Sequence, residues 1–226
     1  NELRLEKNER IEDFEKSLLS KFKKQINSTY LNAYPETYSL YEMLAKHHKL
    51  NKNNFLITAG SDAGIRACFD VFVKLKSKVI STYPNFAMVN VYSKLFNAKI
   101  SNIKYDKNLN LDLKKIIDQI DKQTSIVVIA NPNGCTGTLF NINEIKGLLV
   151  RAKLKKVPVL IDEAYFGFSK LTAIELVRRY PNLIVSRTFS KAYGIAGLRV
   201  GYLVGSSNII NLLNKFKPMY EINSLG

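Results

Sequence analysis

Short apolar runs alternate along this chain with longer segments in which apolar residues recur at helical spacing. The runs are rich in β-branched residues, which is typical of buried strands, and they cover residues 55–58, 79–81, 126–129, 157–161 and 183–185. The helical segments between them cover residues 64–75, 87–96, 111–120, 142–154 and 172–179. This order predicts an α/β fold with a mainly parallel sheet and helices on both of its faces.

A further apolar run at residues 198–204 follows the strand at 183–185 too closely for a parallel return. A parallel connection needs a crossover of about a dozen residues or more, and the intervening chain must also finish one strand and enter the next. We therefore predict that this last strand runs antiparallel to its neighbours.

The two ends of the chain differ from this central pattern. Residues 1–27 are strongly charged and predict a helical arm, and we expect its apolar face to pack on its own domain or on a partner. The residues of that face are Ile11, Phe14, Leu18, Leu19 and Phe22. Residues 28–215 form the predicted large domain, and residues 216–226 begin a passage out of it. Because the chain starts with Asn1, we also expect the natural protein to extend further.

The charge of the chain is strongly positive but dispersed. Lys and Arg number 34 against 19 Asp and Glu, which gives a formal net charge of +15. Such an excess suits nucleic acid, an anionic membrane surface or anionic small molecules. Since no aromatic RNA-binding signature or zinc-ligand spacing accompanies the lysines, we expect no nucleic-acid partner and attribute the charge to a lysine-rich proteome.

Cysteine usage and hydropathy predict the compartment. The two cysteines, Cys68 and Cys135, lie far apart, so they build neither a disulfide framework nor a metal cluster. No apolar run approaches the length of a membrane span, and no signal peptide is visible. We predict a cytoplasmic protein with no metal and no membrane partner.

Chemically suggestive residues follow the predicted strands, where α/β sheets bind ligands. The sequence Ala-Gly-Ser-Asp at 59–62 opens a helix, whose free N–H groups can bind an anion or need only a cap. Asp162 ends a buried run, where it is either a helix cap or an acceptor for a cationic ligand group. The residues after the strand at 183–185 suit a phosphate beside a carbonyl group, and they are Thr188, Ser190, Lys191 and Arg199.

One cofactor, pyridoxal 5'-phosphate, accounts for all of these residues. A lysine can capture its aldehyde as a Schiff base, and a helix N-terminus, hydroxyls and an arginine can hold its phosphate. A carboxylate such as Asp162 can keep its pyridine nitrogen protonated. Phe86 can stack on its ring, although core packing is the plainer role for that residue, and Tyr165 can donate to its phenolic oxygen.

These residues resemble the aspartate-aminotransferase superfamily of fold type I pyridoxal-phosphate enzymes, and within it the histidinol-phosphate aminotransferase branch. The resemblance covers nearly the whole chain, through the motifs at residues 4–9, 33–35, 59–62, 131–137, 162–165, 190–199 and 217–223. It implies the large domain of that fold, with a C-terminal small domain that is not in this sequence.

The resemblance also implies a role for each motif residue. Lys191 would be the Schiff-base lysine and proton shuttle, Asp162 the partner of the pyridine nitrogen, and Tyr165 the phenolic-oxygen donor. Tyr34 would reach the phosphate of the partner subunit in a homodimer, and Asn8 would border the substrate. The remaining cofactor contacts would be Phe86 at the ring and, at the phosphate, Ser61, Asp62, Thr188, Ser190 and Arg199.

Two departures from the family pattern bear on activity. Gly134 and Cys135 stand where the family has asparagine and proline, so the contact of that asparagine with the phenolic oxygen is missing or moves to Asn133. Arg10 and Ile11 replace the usual proline and glycine of the N-terminal segment. The arginine that grips the substrate carboxylate belongs to the small domain, so no residue here receives that role.

We predict a pyridoxal-phosphate-dependent aminotransferase that acts on a phosphorylated or otherwise anionic amino substrate, with small-molecule amino donor and acceptor. The alternative within the fold is a decarboxylase of a phosphorylated amino acid, of the phosphoserine or phosphothreonine type. Because of Gly134, a catalytically inactive member of the family stays open too. A non-enzymatic nucleic-acid-binding protein is the alternative from a different class.

Overall fold

Seven strands form one mixed sheet in a computed structural model that describes residues 6–226. The strands are β1 (Phe55–Thr58), β2 (Lys78–Tyr83), β3 (Lys99–Lys104), β4 (Thr124–Ala130), β5 (Val159–Asp162), β6 (Leu183–Thr188) and β7 (Gly201–Gly205). They lie across the sheet in the order β1-β7-β6-β5-β4-β2-β3. Only β7 runs antiparallel to its neighbours, β1 and β6, which confirms the predicted fold class.

Helices cover both faces of this sheet. They are α1 (Lys16–Gln25), α2 (Thr29–Asn32), α3 (Tyr38–His48), α4 (Gly60–Phe72), α5 (Met88–Leu95), α6 (Lys114–Ile117), α7 (Ile142–Leu154) and α8 (Ser207–Asn214). Short 3-10 turns add Lys52–Asn54, Ile174–Leu176 and Ala196–Leu198. Each face of the sheet has its own hydrophobic core, and successive residues of β4 face opposite sides. Val128 packs beneath α4 and α5, whereas Val127 packs beneath α7.

Local sequence signals explain why the sequence predicts some helices and strands with the observed bounds and misses others. Helix α7 has the predicted bounds, because Asn141 and Glu144 form a capping box at its start. The segment 111–120 yields only the single turn of α6, and the segment 172–179 only a 3-10 turn. Strand β3 was not predicted, since its sequence Lys-Ile-Ser-Asn-Ile-Lys is largely polar and it lies half-exposed at the edge of the sheet.

The N-terminal segment is less helical than its sequence predicts. Residues 6–15 form no helix, and α1 buries none of its residues. Ile11 is 61% exposed and Leu18 is 53% exposed, so this part of the apolar face is open to solvent. Packing of the face on its own domain or on a partner stays a prediction. The division of the chain at residues 27 and 215 also stays a prediction.

The connection from β6 to β7 is short and ends in a close backbone approach. Arg199 adopts the left-handed conformation, with φ of 55°, just before β7 begins. Gly201 then passes so near the turn at Gly60 that a Cβ would lie 2.5 Å from the Gly60 carbonyl carbon. The same Cβ would lie 2.7 Å from the carbonyl oxygen of Arg187. Only a glycine allows β7 to enter the sheet here.

Replacement of Gly201 by alanine is expected to lower the free energy of unfolding by about 1–3 kcal/mol, the usual cost of overpacking. Gly205 at the other end of β7 is the matched control, because a Cβ there would meet nothing closer than the Leu183 oxygen at 3.4 Å. Urea unfolding of both variants measures the difference. Equal costs for Gly201→Ala and Gly205→Ala would contradict the steric argument.

Candidate active site

The carboxyl ends of the parallel strands open into one cavity of about 570 Å³. This placement follows from the topology, because parallel strands end at a common edge and their following loops meet there. Ten of the residues predicted from the sequence line the cavity, namely Asn8, Ser61, Asp62, Phe86, Asp162, Tyr165, Thr188, Ser190, Lys191 and Arg199. Two predicted residues, Asn133 and Tyr34, lie outside its lining.

One end of the cavity is built to receive an anion. Arg199 lies over Gly60, where a Cβ would come within 2.7 Å of the Arg199 Nη2 atom. The Arg199 Nη1 atom donates to the Ser190 hydroxyl at 3.3 Å, and the Thr188 hydroxyl donates to the same oxygen at 2.9 Å. Helix α4 begins at Gly60, so its free N–H groups point to the same place.

The Asp62 side chain is turned away from this anion-binding end. Its Oδ1 atom accepts a hydrogen bond from the Tyr92 hydroxyl at 2.9 Å. Burial, together with the Asp62 hydrogen bond, raises the pKa of Tyr92 to about 12, so the phenol remains a donor at neutral pH. Tyr92 was not predicted, because nothing in the sequence links it to a residue 30 positions away. This leaves the backbone N–H of Asp62 as the group that can serve an anion.

Asp162 supplies a buried carboxyl group at the other end of the cavity. It is the last residue of β5 and is only 6% exposed. Burial raises the pKa of this carboxyl to about 6, although the Ala164 N–H, which donates to it at 3.2 Å, opposes that shift. A cationic group bound in the cavity would favour the carboxylate form. Such a residue suits a ring nitrogen that carries a proton.

Lys191 extends from the loop after β6 and meets the N-terminal segment. Its Nζ atom donates to the carbonyl oxygens of Lys7 at 2.6 Å and Asn8 at 3.3 Å. Burial lowers the pKa of the Lys191 amine, Glu9 opposes this effect, and the positive charge of Arg199 adds to it. A lowered pKa increases the fraction of neutral amine, which is the nucleophilic form.

Tyr165 fills the space that Gly134 leaves open. A Cβ on Gly134 would lie 2.6 Å from the Tyr165 Cζ atom and 2.9 Å from its Cδ2 atom. The Tyr165 hydroxyl accepts a hydrogen bond from the Asn8 side chain at 2.7 Å. An asparagine at position 134 would therefore displace the Tyr165 ring. The ring can keep its observed position only because residue 134 has no side chain.

The expectation that the missing asparagine contact moves to Asn133 is not met. The Asn133 side chain is buried and holds the loop together, since its Nδ2 atom donates to the oxygens of Pro84 at 3.0 Å and Tyr105 at 3.2 Å. Its Oδ1 atom accepts from the backbone N–H groups of Cys135 and Thr136. With both ends bound to the scaffold, the Asn133 side chain does not face the cavity.

A buried ion pair lies directly behind the cavity. Glu163 and Arg187 are almost inaccessible to solvent, and their side chains meet at 2.8 Å. Glu163 also accepts from the Thr172 hydroxyl at 2.9 Å, and the Arg187 guanidinium stacks on the Phe166 ring. Sequence analysis missed this pair, although an arginine inside the buried run of β6 was a usable signal.

Tyr34 does not line the cavity and is exposed to solvent. It is 69% exposed and stacks on Tyr220, with ring centroids 3.8 Å apart. Residues 6–226 bring together no group of three or more His, Cys, Asp or Glu side chains that could hold a metal ion. Among the helices of those residues, none is long and apolar enough to cross a membrane.

Gly134→Ala is expected to lower the free energy of unfolding by about 1–3 kcal/mol, because its Cβ collides with the Tyr165 ring. In a Tyr165→Ala background the same substitution should cost almost nothing, so a double-mutant cycle isolates the contact. Gly147→Ala on α7 is the control, since a Cβ there meets no atom within 4 Å. An equal loss of unfolding free energy in both backgrounds would show that the substitution does not act through contact with the Tyr165 ring.

Asp162→Asn is expected to raise the free energy of unfolding of the cofactor-free protein by about 2–3 kcal/mol near neutral pH. The folded wild type keeps the Asp162 proton up to about pH 6, whereas the unfolded chain loses it near pH 4, so wild-type stability falls as pH rises between these values. Urea unfolding at about pH 5 and about pH 7.5 should show a larger gain at the higher pH.

The exposed Asp13 provides the control for this titration, and Asp13→Asn should change stability little at either pH. A gain for Asp162→Asn that does not depend on pH would show that burial does not raise the pKa of this carboxyl.

Solved structures of known proteins share this fold. The histidinol-phosphate aminotransferase from Sinorhizobium meliloti, solved in complex with pyridoxal-5'-phosphate, superposes with a TM-score of 0.85 at 23% identity, over 96% of this chain and 60% of that one. The L-threonine-O-3-phosphate decarboxylase from Porphyromonas gingivalis superposes with a TM-score of 0.78 at 25% identity, over 93% and 65% of the two chains.

Sequence comparison gives a closer relationship. The histidinol-phosphate aminotransferase of Thermoanaerobacter pseudethanolicus is 33% identical over 226 residues, which cover 99% of this chain and 64% of that protein. The chain thus spans about 64% of the length of this relative. The model of the family described as aminotransferase class I and II matches residues 1–225. With nearly its whole length matched, the chain belongs to the class I and II aminotransferase family.

Proposed function

We propose that this chain binds pyridoxal 5'-phosphate and forms the cofactor-binding part of an aminotransferase that acts on a phosphorylated or otherwise anionic amino substrate. The observation that carries the proposal is the placement of Lys191, Asp162 and Arg199 around one cavity. An amine, a buried carboxyl group and a guanidinium in that arrangement match the aldehyde, the ring nitrogen and the phosphate of the cofactor.

Each group of the cofactor has a partner among the lining residues. The start of α4 and the Ser190–Arg199 pair would hold the phosphate, and Asp162 would hold the ring nitrogen. Phe86, which is 42% exposed at the cavity, is free to cover one face of the ring. Tyr165 lines the same cavity, and its hydroxyl, which now accepts a hydrogen bond from Asn8, would donate to the phenolic oxygen of the ring.

The cofactor and the residues of the chain would supply different parts of the reaction. When bound, the cofactor supplies a carbonyl that captures amines and a ring that withdraws electrons from the bond being broken. Lys191 accepts the proton from the substrate α-carbon and returns it at another position, for which a lowered pKa is suited. The carbonyl oxygens of Lys7 and Asn8 accept hydrogen bonds from its Nζ atom in this structure.

The substrate class rests on the relatives and on charge. The relative from Thermoanaerobacter pseudethanolicus is named for a phosphorylated substrate, and the formal net charge of +15 here favours anionic ligands. The proposal includes a cytoplasmic homodimer in which the exposed Tyr34 reaches the phosphate of the second copy. The uncovered apolar face of α1 is consistent with such a partner.

A decarboxylase of a phosphorylated amino acid is the second candidate. It is favoured by the structural likeness to the threonine-phosphate decarboxylase, at 25% identity. Both reactions use the same lysine, and they differ in which bond of the α-carbon is broken.

One experiment tests both candidates. The purified protein, loaded with pyridoxal 5'-phosphate, is offered histidinol phosphate, phosphoserine or phosphothreonine, with and without 2-oxoglutarate. The aminotransferase proposal expects glutamate to form only when amino donor and 2-oxoglutarate are both present. Release of carbon dioxide from phosphoserine or phosphothreonine without 2-oxoglutarate would establish the decarboxylase instead.

Lys191→Ala should abolish turnover and the visible absorbance of the lysine-bound cofactor, because the Lys191 amine would form that bond with the cofactor. Lys170→Ala is the control, since Lys170 is exposed and does not line the cavity. Full turnover in the Lys191 variant would overturn both candidates at once.

A further inference from the structure

Six lysines surround a cleft at the edge of the sheet opposite the candidate active site. The cleft has a volume of about 630 Å³ and is formed by the loops that enter β2, β4 and β5 and by the start of β3. Because these are the amino ends of the strands, one strand length of about 20 Å separates the cleft from the catalytic cavity. The six are Lys74, Lys76, Lys99, Lys122, Lys155 and Lys156.

The positive charge of this cleft is not neutralised by ion pairs among residues 6–226. Its lining contains no acidic residue, and none of the six lysines forms an ion pair within residues 6–226. The nearest carboxylate in the sequence, Asp121, is bound by Lys78 at 2.5 Å. Six like charges around one cleft repel one another, and an anion bound among them would relieve that repulsion.

The backbone of the cleft is held in place by hydrogen bonds between its loops. The Lys76 N–H donates to the Asn97 oxygen at 3.0 Å, and the Lys99 N–H donates to the Ser77 oxygen at 2.8 Å. The Lys78 N–H joins the third loop through the Gln123 oxygen at 2.8 Å. The backbone at Lys76 and Lys99 is therefore already ordered, which reduces the conformational entropy that is lost when an anion binds.

We propose that this cleft is a binding site for a small polyphosphate anion, either an inorganic polyphosphate or the phosphate chain of a nucleotide. Its volume suits a small molecule. Ser77, Thr124 and Ser125 add hydroxyls beside the lysines. A nucleic-acid strand fits less well, because strands bind on several stacking aromatic side chains and Phe72 is the only aromatic in the described lining.

Calorimetric titration with inorganic tripolyphosphate, ATP and AMP tests the site. The protein is first saturated with pyridoxal 5'-phosphate, so that the anion-binding end of the catalytic cavity is filled. We expect tripolyphosphate and ATP to bind, with affinity that falls steeply as salt rises, and AMP to bind at least about tenfold more weakly. ATP binding without tripolyphosphate binding would overturn the assignment to polyphosphate.

Two double charge reversals, one in the cleft and one at the opposite edge of the sheet, provide matched variants. Lys99→Glu with Lys122→Glu should weaken tripolyphosphate binding by about tenfold or more, since both side chains line the cleft. Lys104→Glu with Lys107→Glu changes net charge equally at the opposite edge and should alter binding by less than about twofold. An equal loss of tripolyphosphate affinity in both double variants would mean that binding depends on the net charge of the protein and not on the cleft. That result would overturn the proposed site.

Competition identifies the class of ligand. A single-stranded RNA oligonucleotide that binds tightly, and that tripolyphosphate does not displace, would show a nucleic-acid surface and contradict the proposal. Displacement of the RNA by tripolyphosphate at equal phosphate concentration would support the proposed polyphosphate site.

Discussion

The candidate site depends on one close backbone approach, that of Gly201 in β7 to Gly60 at the start of α4. Because β7 returns antiparallel after a short loop, it inserts between β6 and β1 and carries Arg199 onto the bare side of Gly60. A side chain at either glycine would separate the guanidinium from the helix end that it faces. The anion-binding end of the cavity is thus a joint product of three strands and one helix.

A second constraint acts on β5 and β6, the two strands that lead to Asp162 and Thr188 in the cavity. Glu163 and Arg187 form a buried ion pair between the ends of β5 and β6, and each is adjacent in sequence to a cavity residue, Asp162 or Thr188. The desolvation of such a pair consumes most of its attraction, so it adds little net stability. We interpret its role as positional, because only a narrow set of strand geometries allows both charges to be satisfied.

The two edges of the sheet carry different chemistry. The carboxyl edge gathers one buried carboxyl group, hydroxyls, an amine and a guanidinium around a cavity. The amino edge gathers six lysines from four separate segments into a cleft without acidic residues in its lining. In the sequence these lysines look dispersed, and we first attributed them to a general excess. Their convergence comes from the parallel topology, which brings the beginnings of distant strands together.

The sequence by itself determined the fold class, the antiparallel last strand and the bounds of α7, because strand period, capping and loop length are local signals. The ten cavity residues came from the motifs that follow the strands and from the family that those motifs resemble. The sequence did not determine β3, whose polar residues give no alternating pattern. Only the tertiary structure decided that Asn133 holds its loop and that Tyr165 occupies the space over Gly134 and meets Asn8, 157 positions away. Contacts between such distant residues depend on how the strands and loops pack, and no local pattern records them.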